Sequence, residues 1–177
     1  MGDSESCGMC EAPGRASGRN FGLDVCAVCE AGQLTGRLGS WGAEISSEVV
    51  MFTDRHQQTY DQIRVRASVQ GVQPLLAVFS RPTTKSKIVG LFRKRFKAGD
   101  PLFDHAVAVQ TQTPGFLRTL LQNDGFQSAI MTLTTHAERF EVTGGAIELA
   151  ARVDALDLRA ELPLAAAAVL RHIKRLG

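Results

Sequence analysis

Apolar and polar residues alternate most cleanly between Ile63 and Val69, where Ile63, Val65, Ala67 and Val69 are separated by Arg64, Arg66 and Ser68. Period two over that length predicts a strand with one face buried and one in water. Upstream, Val49 to Thr53 is a β-branched and aromatic run that predicts a buried strand. Downstream, Gly71 begins a turn, Leu75 to Phe79 reads as a strand stopped at Pro82, and Ala106 to Gln110 reads as another. Phe140-Glu141-Val142 and Ile147-Glu148-Leu149 flank Gly144-Gly145, a pairing that predicts a tight two-residue hairpin.

Three stretches carry helical periodicity instead. Thr113-Pro114 offers a capping hydroxyl followed by proline at the first helical position, and Leu117, Leu120 and Leu121 give an apolar stripe up to Asp124-Gly125. Phe126, Ala129, Ile130 and Leu133 recur at the spacing of one helical face. Glu161 to Leu176 is an Ala- and Leu-rich helix with Pro163 in its first turn, and Arg171, Lys174 and Arg175 suit its C-terminal dipole. Strands, short helices, a hairpin and a final helix in this order predict an α+β fold, an antiparallel sheet with helices packed on one face. The Gly-rich stretch 32–42 ending at Trp41-Gly42 marks the expected boundary, giving a small module over 1–40 and an α+β domain over 41–177.

The first forty residues hold all four cysteines of the 177-residue chain: Cys7, Cys10, Cys26 and Cys29, spaced C-x2-C-x15-C-x2-C. Two residues between thiols let one tight turn aim both sulfurs at a single ion, and this double-pair spacing reads as a tetrahedral zinc site. Through C-G-M-C at 7–10 and C-A-V-C at 26–29 the module resembles the zinc-ribbon and treble-clef superfamily. The resemblance implies one structural Zn2+ and no particular activity. In treble clefs the second pair opens a short helix, whose inner face here would be Leu34 and Leu38. Four thiolates leave no open coordination position, so the expected role is structural rather than catalytic. Two disulfides, a thioredoxin-type redox pair and rubredoxin-like iron are the competing uses of the same cysteines.

Composition excludes intrinsic disorder, a collagen-like fibre and a coiled coil, with 44% hydrophobic and 21% charged residues. The opening M-G-D-S-E-S lacks the basic start and apolar run of a secretory signal. The longest run without a charged or strongly polar side chain is Leu162 to Leu170, far short of the ~20 residues a spanning helix needs. The expectation is a cytoplasmic protein with reduced thiols, and dense Arg, Ala and Gly usage points to a GC-rich bacterial genome. Met1-Gly2 with Ser6 matches the N-myristoylation pattern at two informative positions, as many unmodified chains do.

The formal net charge of +2 hides an asymmetry. Residues 81–97 carry Arg81, Lys85, Lys87, Arg93, Lys94, Arg95 and Lys97 with no acid, +7, while the rest of the chain is −5. The cysteine module alone is −2, and near −4 once four thiolates hold a divalent ion. Three uses of the basic segment follow, in falling order of expectation. It can be a solvated loop balanced by the acidic remainder, including the module. It can be an anion-binding surface for nucleic acid. It can lie on an anionic membrane. With Phe96 the one aromatic inside the basic cluster, no stacking platform is expected.

No nucleotide-binding glycine loop, G-x-S-x-G or H-E-x-x-H occurs. His56, His105, His136 and His172 are scattered, and the best catalytic candidate is G-D-P-L-F-D-H at 99–105, where Asp100, Asp104 and His105 could converge. The plainer reading of that stretch is a Gly-Asp-Pro turn leading into a strand. The sequence therefore predicts a non-catalytic zinc-binding protein that acts as a protein-interaction or adaptor module, with nucleic-acid binding through 81–97 as the alternative.

Overall fold

Each strand that shows alternation has its apolar set on one side of a single sheet, and the helices cover that side. The computed structural model describes residues 6–12, 18–31, 34–82, 96–153 and 158–177, with the side chains of 158 and 159 excepted. Near the start, β1 (Gly18–Asn20) and β2 (Leu23–Val25) form a hairpin, followed by the single turn α1 (Ala27–Glu30). Then come β3 (Gly36–Leu38), β4 (Ala43–Thr53), β5 (Thr59–Val69), β6 (Leu76–Ser80), α2 (Pro101–Ala106), β7 (Ala108–Thr111), α3 (Pro114–Leu120), α4 (Asp124–His136), β8 (Arg139–Thr143), β9 (Ala146–Arg152) and α5 (Leu158–Leu176). The fold is α+β. Seven strands are ordered β3-β4-β5-β9-β8-β6-β7, and every neighbouring pair is antiparallel.

Ile63, Val65, Ala67 and Val69 of β5 are buried, as alternation predicts, together with Ile147, Leu149 and Ala151 of β9 beside them. Phe79 and Phe140 are cross-strand partners whose rings stack 5.2 Å apart. Gly144 and Gly145 have φ of 58° and 84°, the left-handed pair a two-residue hairpin turn requires. Helix α5 packs on β4 and β5 and against α4. From Leu162 to Leu170 it is buried on every side, because Ala165 to Ala168 are small enough to sit between layers.

Four local expectations are corrected. Val49 to Thr53 is a strand but not a buried one: Val49 is 39% and Met51 76% exposed, on the stretch of β4 that runs past the end of its outer neighbour β3. The strand predicted over 106–110 starts at Ala108, since Asp100 caps helix α2 by accepting from the N–H groups of Leu102 and Phe103. Helix α4 begins at Asp124 rather than Phe126, capped by the Asn123 carboxamide, which accepts from Phe126 N at 3.1 Å. Thr113 precedes α3, but its hydroxyl does not cap that helix; it accepts instead from Leu76 N at 3.2 Å, fastening the start of β6.

Candidate metal centre

Two tight turns bring the four cysteines together. In the first, the N–H of Gly8 donates to Asp24 O at 2.6 Å and that of Glu11 to Cys7 O at 2.9 Å, so residues 7–11 curl against strand β2. Glu11 closes the curl with φ 60°. In the second, Cys26 is the N-cap residue of α1, and Cys29 lies on its buried side one turn later. The second pair thus opens a short helix, as the treble-clef resemblance implies. Leu34 and Leu38 are buried, but they lie beyond that helix, which ends at Glu30; Leu38 belongs to β3.

All four Sγ atoms fall within 4.8 Å of one another. Cys7 and Cys29 approach to 3.7 Å, as do Cys10 and Cys26, and none of the four is in a disulfide. A tetrahedron with zinc–sulfur bonds of ~2.3 Å has edges of ~3.8 Å, so the observed spacing is that of ligands around one ion. The four cysteines are positioned to bind a metal.

The electrostatics of the cluster favour a cation. Burial raises the Cys7 thiol, but N–H groups of Cys10, Met9 and Cys26 outweigh it and bring its pKa down to about 7. The N–H groups of Met9 and Cys26 lie 3.4 and 3.3 Å from that sulfur. Cys10 is pushed up, chiefly by burial, and Cys29 is pushed up strongly by burial and by the neighbouring sulfurs. Protein groups alone therefore do not stabilise four thiolates at this point, whereas a divalent ion would displace the protons and neutralise half the charge.

A ring of contacts locks the cluster to the body of the fold. Trp41 Nε1 donates to Met9 O inside the first cysteine turn. Arg171 of α5 lies over the Trp41 ring, 4.9 Å from its centroid, and donates to Glu11 Oε1 at 3.2 Å. The other Glu11 oxygen accepts from Ser40 N at 2.7 Å. On the far side of the module, His172 Nε2 donates to Phe21 O at 2.8 Å, and Gly125 of α4 abuts the same Phe21 carbonyl. Met9, Leu23, Val25 and Leu34 join the same buried cluster as α5 and the sheet. From the sequence alone Arg171 has only a helix-dipole role and Trp41 only a place at the boundary. Arg171 reaches Glu11 from 160 positions away in sequence, and nothing local announces the pairing.

Of the basic segment, Arg81 and Lys97 fall within the described residues, while Lys85, Lys87, Arg93, Lys94 and Arg95 lie outside them. Arg81 uses Nε to bind Thr134 O at 2.9 Å in α4. Lys97 is exposed, and its neighbour Phe96 forms a bridge to Val109 under the guanidinium of Arg118. Two acids of the module, which was expected to balance this segment, have partners of their own among the described residues, Glu11 with Arg171 and Asp24 with Arg19.

Asp100 and Asp104 do not converge on His105. Asp100 caps α2, and Asp104 accepts from Ala98 N at 2.8 Å and Gly99 N at 3.2 Å. Both carboxylates hold backbone. A separate shallow depression of about 850 Å³ lies on the uncovered sheet face, where Arg37, Glu44, Arg66 and Glu148 alternate in sign and Arg66 donates to Glu148 at 2.9 Å. Among the described residues no helix is long and apolar enough to cross a membrane. No protein-family model matches this chain, and no significant match was found among curated proteins or solved structures.

Proposed function

We propose that this is a non-catalytic zinc-binding protein, in which one structural Zn2+ fastens the N-terminal module to an α+β body that serves as a protein-interaction or adaptor surface. The observation that carries the metal half is the cluster of four Sγ atoms within 4.8 Å, with two contacts at the 3.7 Å expected of tetrahedral ligands. A four-thiolate set suits zinc and leaves no position for substrate or water, which favours a structural ion. Reduced, paired thiols fit a cytoplasmic setting.

The adaptor half is supported by how the polar groups are used. The latch residues Glu11, Arg171 and His172 are occupied in holding the module, and the two carboxylates of the 99–105 stretch cap and brace a helix. Facing outward are a sheet face of mixed charge and a stretch of strand β4 whose outer side has no strand partner among the described residues.

Copurification from native lysate, with and without nuclease, tests the reading. Protein bands retained after nuclease treatment, together with one zinc per chain by elemental analysis, are the expected result. Nucleic acid that comes down with the chain and is released by salt would replace the adaptor reading with binding through 81–97, since phosphate contacts make affinity steeply salt-dependent.

A further inference from the structure

We infer that two copies of this chain pair through the free edge of strand β4, joining their sheets into one. Strand β4 spans Ala43–Thr53, but its outer neighbour β3 pairs with it only from Ala43 to Ile45. Among the described residues, nothing pairs with the outer side of the remaining run. The opposite edge of the sheet differs, because β7 there receives a bridge from Phe96 to Val109.

The direction of the backbone groups on this run follows from its neighbours. Val69 N donates to Gly145 O, away from β4, and Asp54 N donates to Gln58 O across the β4–β5 turn. In an antiparallel ladder the two backbone groups of a residue point the same way, and the direction alternates along the strand. Even-numbered residues of β4 therefore bond to β5, and Ser47, Val49, Met51 and Thr53 direct their N–H and C=O groups outward.

That outward set is symmetric about Val50. A two-fold axis through Val50 places Val49 opposite the second copy's Met51 and Ser47 opposite its Thr53, a register that satisfies the whole set with about eight backbone bonds. It also brings together the exposed apolar side chains of the strand, since Val49 (39% exposed) then packs on Met51 (76% exposed) from the other copy. The strand contains no Lys, Arg or Pro, the residues that ordinarily guard an edge. Its outer charge, Glu48, falls opposite Phe52 rather than opposite another acid. The inference is independent of the metal.

Sedimentation of the full, metal-loaded chain over a range of concentrations tests it. A shift from one-chain to two-chain mass is expected. Met51→Lys, at a side chain already in water, and Val49→Pro, which removes an outward N–H and spares the β4–β5 bonds, should each weaken association about tenfold or more. Both variants should keep the wild-type circular dichroism and metal content. The register has its own readout. In a non-bonded pair the two Val50 Cα atoms would lie ~4.5 Å apart, within disulfide reach, so Val50→Cys should crosslink under oxidised glutathione. The Val49 positions would be ~8 Å apart, so Val49→Cys should not. A single-chain mass up to about 1 mM, a dimer indifferent to both edge substitutions, or equal crosslinking at 49 and 50 would overturn the inference.

Discussion

Gly125 sits so close to Phe21 that a Cβ built on it would lie 2.1 Å from the Phe21 carbonyl oxygen. The close approach is what allows the first turn of α4 to touch the cysteine module, and it explains a glycine inside a helix that would otherwise be weakened by one. Gly125→Ala should therefore destabilise the chain by about 1–3 kcal/mol in denaturant unfolding. Gly115 in α3 has open space around the same position, so Gly115→Ala should stabilise by about 0.5–1 kcal/mol. Equal responses at the two sites would mean that the module does not bear on α4.

Arg171 holds the boundary residue Trp41 and the module's Glu11 at once. Its buried Nε has no partner among the described residues, where stacking and one terminal nitrogen hold the side chain. Arg171→Lys keeps the charge but cannot lie flat on an indole. A loss of about 1–2 kcal/mol and a blue or red shift of Trp41 emission are expected. Unchanged stability and emission would remove the latch from the account.

His172 is 4% exposed, and burial holds its pKa below the usual histidine value. The bond to Phe21 opposes this shift, and the nearby Arg175 reinforces it. The unfolded chain then binds a proton that the folded chain refuses, so stability from this group is complete above about pH 6.5 and falls as acid is added below it. Thermal melts from pH 7.5 to pH 5 should show that loss in the wild type, and His172→Gln should flatten it over this range. A wild-type melt that rises on acidification would reverse the sign.

Metal removal should reach beyond the module. Met9, Leu23 and Val25 share a buried cluster with α5, so freeing the cysteine turns also loosens α5. Chelation, or Cys26→Ser, is expected to release the ion and lower the melting temperature of the whole chain, read by far-ultraviolet circular dichroism. A body that melts at an unchanged temperature without metal would show that the module contributes only to itself.

The elements legible in the sequence were those set by neighbours along the chain. Ile63–Val69 alternates because one face of β5 is buried along its length, and Gly144-Gly145 announces a turn that demands positive φ at both positions. The cysteine spacing likewise carried its own geometry. Expectations failed where a distant partner decides. Val49 and Met51 have the composition of a core strand but are exposed, on the stretch of β4 that β3 does not reach. Asp124-Gly125 reads as a helix end, yet it opens α4 behind the Asn123 cap, with glycine required where Phe21 fills the space a side chain would take. The Thr113 hydroxyl is spent on β6, a strand that comes 37 residues earlier in sequence than its partner.

The buried helix α5 follows every other element in chain order, yet lies in their midst. As the chain leaves the ribosome, β4, β5, α4 and the cysteine turns all emerge before the surface they rest on exists. Neither side of the structure can close early. Their apolar faces wait for α5, and the Trp41, Glu11 and Phe21 contacts form only when Arg171 and His172 arrive. This core can therefore close only after α5 has emerged, and until then the apolar faces of the earlier elements are open to aggregation and to chaperones.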